Sequence, residues 1–299
     1  MMRARLCRSR GFTLIEAVIA IVILGVLAGI VAVFIRMPMQ GYADSVGRAE
    51  VTDQADLALR RMARDLRLAL PNSIRVSADR SAIEFMLTKS GGRYLSAEDT
   101  VDGAPALDFL TSSNLSFTVV GALQSMTRAQ VGDYVAVYNL GEGMKPSDAW
   151  QYGQADTNIA RITAIGQQAV AAIDPVQSSY VITLERNPFA LQSTPMPSPS
   201  QRFQVVSGPV SYYCAADTDG SLTLWRAWGY AISATQAVPP VGAQRAPLAT
   251  RLASCAIFDY GSAATRRSAL VLLALELKAR NAADPSIRLV HQVHVDNTP

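Results

Sequence analysis

From Phe12 to Ile35 the chain holds one ionisable side chain, Glu16, in an otherwise uncharged and mostly apolar run. As a helix, such a run rises about 36 Å, enough to cross a bilayer core of about 30 Å with some tilt. A helix also satisfies every backbone polar group internally, which lipid demands. Beyond Gly41 the pattern becomes amphipathic. Ala55, Leu59, Met62, Ala63, Leu66 and Leu70 recur at three- and four-residue spacing, with Arg60, Arg61, Arg64, Asp65 and Arg67 on the other faces. This predicts a helix over 49–70, stopped by Pro71-Asn72-Ser73, while Pro38 between the two helical stretches should either kink the helix or free a carbonyl near residue 34.

After Pro71 short apolar runs alternate with turn residues. Strands are expected over 81–87, 106–110, 115–120, 134–140 and 180–185. Residues 187–201 carry Pro188, Pro195, Pro197 and Pro199 among serines and read as a loop or linker. A second series of strands is expected over 203–214, 221–230, 270–277 and 287–295, with another Pro-rich loop over 238–247. The run 270–279 is apolar enough throughout to read as helix as well. The predicted class is α+β, a long N-terminal helix laid against a mainly antiparallel β-sheet head. The break at 187–201 is a point at which that head can divide into two lobes.

Arg3, Arg5, Arg8 and Arg10 precede the apolar run, and Arg36 alone follows it closely. The positive-inside rule then keeps the N-terminus in the cytoplasm and exports the rest. An ordinary secretory signal would have a shorter apolar core with a small-residue cleavage site after it. Here Arg10-Gly11-Phe12-Thr13-Leu14-Ile15-Glu16 lies at the head of the run, and it resembles the N-terminus of type IV prepilins, the precursors of pilus and pseudopilus subunits. The resemblance implies the type IV pilin-like fold and four segments: a cleaved leader at 1–11, a transmembrane helix at 12–35, the exported part of that helix at 36–70, and a β-rich head at 71–299. It implies cleavage between Gly11 and Phe12 by a membrane prepilin peptidase/methyltransferase, followed by N-methylation of Phe12. Glu16 becomes the fifth residue of the mature chain, and its implied assembly partner is the Phe12 ammonium of a neighbouring subunit. A carboxylate inside a membrane is costly and marks a functional position, and opposite charges in low dielectric offset each other's desolvation. The alternative role for Glu16 is to snorkel to the headgroups. Gly25 and Gly29, continued by Ala32, form a small-residue face that suits close helix packing.

Loss of the leader changes the charge picture. It removes four of 27 basic side chains and leaves 23 against 24 acidic ones. The mature chain therefore has no global basic footprint for nucleic acid, and no nucleic-acid partner is expected. Cys7 goes with the leader. Cys214 and Cys255 remain as an even pair in an exported region and are expected to form a disulfide. That bond closes a loop of about 42 residues, worth about 4 kcal/mol in the chain-entropy model.

Little else in the sequence carries chemistry. His291 and His294 are three apart, so on a strand they face opposite sides and do not share a metal. Gly141–Ser147 lacks the phosphate-loop spacing. Asp217-Thr218-Asp219-Gly220 begins like a calcium loop but lacks the downstream bidentate glutamate, and Asp-Gly between strands is first a turn. Trp225 and Trp228 should face opposite sides of a strand, one in the core and one free for contact. No nucleophile–base or paired-carboxylate set can be assembled. The chain is expected to be no enzyme and to need no cofactor or metal.

Gly208–Cys214, Cys255–Tyr260 and His291–Pro299 resemble the O-type minor pilins of mannose-sensitive haemagglutinin (MSHA) pili, and Leu66–Arg75 resembles larger minor pilins. This implies a minor type IV pilin anchored in the inner membrane, head in the periplasm, later built into a surface pilus at or near its tip. The implied partners are other major and minor pilins and the inner-membrane assembly platform. A type II secretion pseudopilin shares the same signal and helix and is the alternative, followed by an adhesive or ligand-binding tip subunit.

Overall fold

The computed structural model describes residues 11–99, 103–121, 126, 128–168, 179–260, 269–278 and 286–299. The chain divides into two compact units, Met1–Val51 and Thr52–Pro299. Helix α1 spans Leu14–Arg67. It runs on through Pro38, where a kink or a freed carbonyl is expected from the sequence. A proline removes a single N–H donor, and the hydrogen bonds of the turns on either side carry the helix past it. Within the first unit, Leu14–Ala32 is long and apolar enough to cross a membrane, and none of it is buried.

In the second unit, the predicted amphipathic face is the buried one. Ala55, Ala58, Leu59, Met62, Ala63 and Leu66 are all covered, while Arg60, Arg61, Arg64 and Arg67 stay exposed. The helix stops at Arg67 rather than Leu70. Its last N–H groups tighten onto carbonyls three residues back, Leu68 to Asp65 and Ala69 to Leu66, and Leu70 N–H then turns to the Met86 carbonyl. The sheet captures the chain before Pro71 can end the helix.

The strands are β1 (Arg75–Val76), β2 (Ala82–Tyr94), β3 (Ser116–Val120), β4 (Tyr134–Ala136), β5 (Ile159–Gln168), β6 (Ser179–Leu184), β7 (Arg202–Ala216), β8 (Leu222–Trp228), β9 (Gln244–Ala249), β10 (Phe258–Asp259), β11 (Leu270–Leu277) and β12 (Ile287–His294). The expected strand at 106–110 is absent. The Asp108 carboxylate instead accepts the N–H groups of Leu110 and Thr111, which bends the chain into a turn. The strand expected over 134–140 ends at Ala136, and Tyr138 adopts a positive φ of 49° that no strand can carry. Strands β5 and β9 arise where none was expected, β9 beginning inside the segment read as a Pro-rich loop. The run at 270–277 is a strand, half-buried in strict alternation, and its partners are β10 and β12.

The main sheet runs β1-β2-β3-β6-β5-β4-β7-β8-β9, and β2 also pairs with β7. That extra pairing closes β2, β3, β6, β5, β4 and β7 into a ring of antiparallel strands. Phe117, Val135, Ile162, Ile182, Leu184, Phe203 and Val205 fill it. Both β2 and β7 are longer than the ring needs. The early half of β2 pairs with the late half of β7, from Ala82↔Tyr213 to Met86↔Pro209, and register shifts follow at Met86/Thr88 and Thr88/Ser90. With β1, β8 and β9 these halves make an open layer on which the buried face of α1 packs, through Tyr212 and Arg226.

The Pro/Ser-rich segment 187–201 therefore does not divide the head into two lobes. Strands before and after it hydrogen-bond to each other throughout. More than one buried cluster exists among the described residues, but the change from one to the next cuts across β2 and β7 rather than between successive stretches of sequence. Cys214 on β7 is bonded to Cys255, with Cα atoms 5.4 Å apart.

Candidate processing and assembly site

The site residues read from the sequence lie in the first unit. Gly11, Phe12 and Thr13 precede the helix, and Glu16 lies in its first turn. The Thr13 carbonyl accepts the N–H groups of Glu16 and Ala17 at 3.1 and 3.2 Å, which makes Thr13 the N-cap. The Thr13 hydroxyl donates to Glu16 Oε2 at 3.4 Å. Thr-x-x-Glu is the capping-box spacing, and a carboxylate in the first turn also suits the positive end of the helix dipole. Glu16 thus favours the helix start through its charge in the first turn. The spacing of Thr13 and Glu16 was the available sign of it in the sequence.

Phe12 is 75% exposed, so the residue that would become the new N-terminus is accessible. Gly25 and Gly29 sit one turn apart on α1, and a Cβ built on either would meet nothing within 4 Å. Their small-residue face is open, free for a helix or lipid to cover. Among the described residues the fold brings Thr13 to Glu16.

A known family's model matches residues 6–32, and its description is the prokaryotic N-terminal methylation motif. The chain carries a prepilin-type N-terminus. That motif implies processing by a prepilin peptidase and use by pilin assembly machinery, and it fits a membrane-anchored pilin or pseudopilin-like protein. The helix followed by a largely antiparallel β head agrees with the type IV pilin-like α+β class. No curated protein and no solved structure matches the chain.

Other residues singled out by the sequence fall as follows. Asp217–Gly220 is a turn between β7 and β8, closed by Asp217 N–H to the Ser221 carbonyl, with Asp219 accepting Ser221 N–H. His291 is half-buried and His294 exposed, three apart on β12. No group of three or more His, Cys, Asp or Glu side chains placed to hold a metal occurs among the described residues. Trp225 is the core tryptophan, with the Arg245 guanidinium 4.4 Å from its ring centroid. Trp228 is half-buried beneath Arg226 at 5.1 Å.

The sequence reading missed two buried polar clusters in the second unit. Asp65 on α1 accepts from Tyr212 Oη at 2.7 Å and Arg226 Nε at 2.8 Å. Burial, with the Asp65 charge beside it, pushes the Tyr212 hydroxyl well above its ordinary value. Burial opposes the charge on Arg226, yet Asp65 and Tyr212 together raise it. Across the layer, Arg75 and Glu84 form an ion pair at 2.7 Å with side chains 5% and 3% exposed. Tyr230 donates to Glu84 at 2.7 Å, Arg75 donates to the carbonyls of Ser233 and Ala234, and its guanidinium lies 3.7 Å over Trp150. Asp65 looked like part of a solvated charge run, and nothing in the local pattern separates it from its arginine neighbours.

Proposed function

We propose that the protein is a minor type IV pilin of the MSHA-biogenesis type, a single-pass inner-membrane subunit incorporated at or near the pilus tip to initiate or support assembly. The supporting observation is the Arg10–Glu16 motif, which sets one carboxylate at the head of an unburied apolar helix. The bulk of the β unit favours a low-copy position, because a ring added to the layer disfavours repeated close packing. In this reading apolar helices pack in the filament, Gly25 and Gly29 let them approach, and Glu16 neutralises the Phe12 amine of a neighbour. The same features suit a type II secretion pseudopilin, and the identity of the partners separates the two.

Mass spectrometry of mature protein is expected to find N-methyl-Phe at residue 12 with 1–11 absent; an intact leader in assembled material overturns the reading. Glu16→Ala is expected to leave cleavage and the head fold intact and to impair incorporation. Removing the carboxylate eases insertion by at most about 2.5–3.5 kcal/mol, so a defect must come from lost pairing or lost capping. Glu16→Gln keeps a capping side chain and isolates the charge. Crosslinking from native membranes is expected to recover pilus subunits rather than secretion components.

A further inference from the structure

The ring carries a cleft of about 490 Å³ between the segment after β2, the 107–110 turn and the Pro197–Gln201 loop. One wall is apolar. The half-buried Phe109 ring is braced by Tyr94 and Phe189, each with its centroid 5.9 Å away, and Leu110 beside it is 83% exposed.

The polar side chains lining the cleft bring negative charge and one unpartnered hydroxyl. Glu98 is exposed and makes no hydrogen bond or ion pair among the described residues. Asp108 is half-buried. Desolvation would raise its carboxyl, but the N–H groups of Leu110 and Thr111, the Asn114 amide and the Thr111 hydroxyl hold it below the ordinary value, and these donors engage its lone pairs while leaving its negative charge beside the cleft. Ser198 is 4% exposed. Its N–H donates to the Tyr94 hydroxyl, while its own hydroxyl is buried with no partner, a cost unless something supplies one. The Gln201 amide is already engaged by Asp99 and Arg93. Among the described residues no lysine, arginine or histidine lines the cleft.

We infer that this cleft binds an organic cation, an ammonium or guanidinium on an apolar stem. The stem lies on Phe109 and Leu110, where ring faces favour a cation and a carbon chain loses water. Its N–H groups are taken by Glu98 and the Ser198 hydroxyl, and the Asp108 charge adds attraction. The group comes either from a lysine or arginine side chain of a neighbouring protein or from a free amine. The inference is independent of the pilin reading.

The test uses the full chain in nonionic detergent, with butylammonium as probe and butanol as its uncharged match, followed by saturation-transfer NMR. Saturable binding of butylammonium is expected, weakened at least fivefold in Glu98→Gln/Asp108→Asn and unchanged in the exposed control Asp156→Asn. Asparagine at 108 can still accept the two turn N–H groups, and an unchanged Tm verifies the fold. A photo-crosslinker at Leu110 in native membranes separates the sources: adducts at a partner's basic peptide identify a side chain, and retained butylammonium binding without protein adducts identifies a free amine. Absence of saturable binding, equal binding of butanol, or an unaffected double variant overturns the inference.

Discussion

The ring and the layer of the second unit share two strands but are stabilised differently. Inside the ring, the buried groups are aliphatic and aromatic, with Phe117 and Phe203 edge to face at 5.3 Å. On either side of the layer, buried charges take part: Asp65 with Arg226 on the helix side, and Arg75 with Glu84 on the other. An apolar core tolerates loss of volume by partial collapse. A buried ion pair has no such recourse, since removing one member strands the other in low dielectric. Strands β2 and β7, though continuous, therefore pass through two environments that should fail by different routes.

Arg75→Leu should therefore produce the largest effect, about 3–5 kcal/mol, because Glu84 is left charged and buried. Denaturant titration of the full chain in detergent measures it, and adding Glu84→Gln should recover much of the loss. Phe203→Ala should cost a similar amount, about 3–5 kcal/mol, but hydrogen exchange should rise in β3–β6 rather than in β1 and β8. Uniform acceleration in both variants would show that the two cores melt as one. Reducing Cys214–Cys255 should cost about 2–5 kcal/mol, read as a lower denaturation midpoint, with faster exchange in β8, β9 and β10 and little change in the ring. Gly92→Ala sharpens the contrast from the ring side. Its Cβ would meet the Phe203 ring at 3.1 Å and Val119 at 3.2 Å, an overpacking cost of about 1–3 kcal/mol by the same titration. The smallest effect belongs to Arg60→Ala, which removes an exposed helix pair with Asp56. A loss of about 0.5 kcal/mol or less is expected, and a larger one would mean that the arginine face of α1 is covered by something.

The N-terminal motif and the helix were legible because their signals are local: one carboxylate in an apolar run, and a three- and four-residue repeat. Most strands were legible for the same reason, with short apolar runs between turn residues marking β3, β6, β8 and β12. What escaped the sequence was non-local. Strand β9 carries Pro247 and few apolar residues, and it becomes a strand because β8 offers it an edge, Trp225 facing Pro247. The turn at Asp108 was hidden behind Leu107 and Phe109, which read as strand residues until one carboxylate claims two backbone donors. Ring closure depends on β2 meeting β7 across more than a hundred intervening residues. The cleft draws its walls from segments equally distant in the chain, so no spacing could announce it.

The register of β2 against β7 has a consequence for how such a head can be assembled or taken apart. Met86 and Pro209 are direct partners across the layer, about 5 Å apart as paired strand residues. Everything between them leaves and re-enters at adjacent points, which is the geometry of an inserted module on a host hairpin. A chain that turned back from Met86 to Pro209 would keep every strand neighbour that β1, β8 and β9 now have. The host and its insert stay coupled at one seam, where the insert's Trp150 lies under the host's Arg75 and donates to the Ser73 carbonyl, so a change on either side of that seam must be answered on the other.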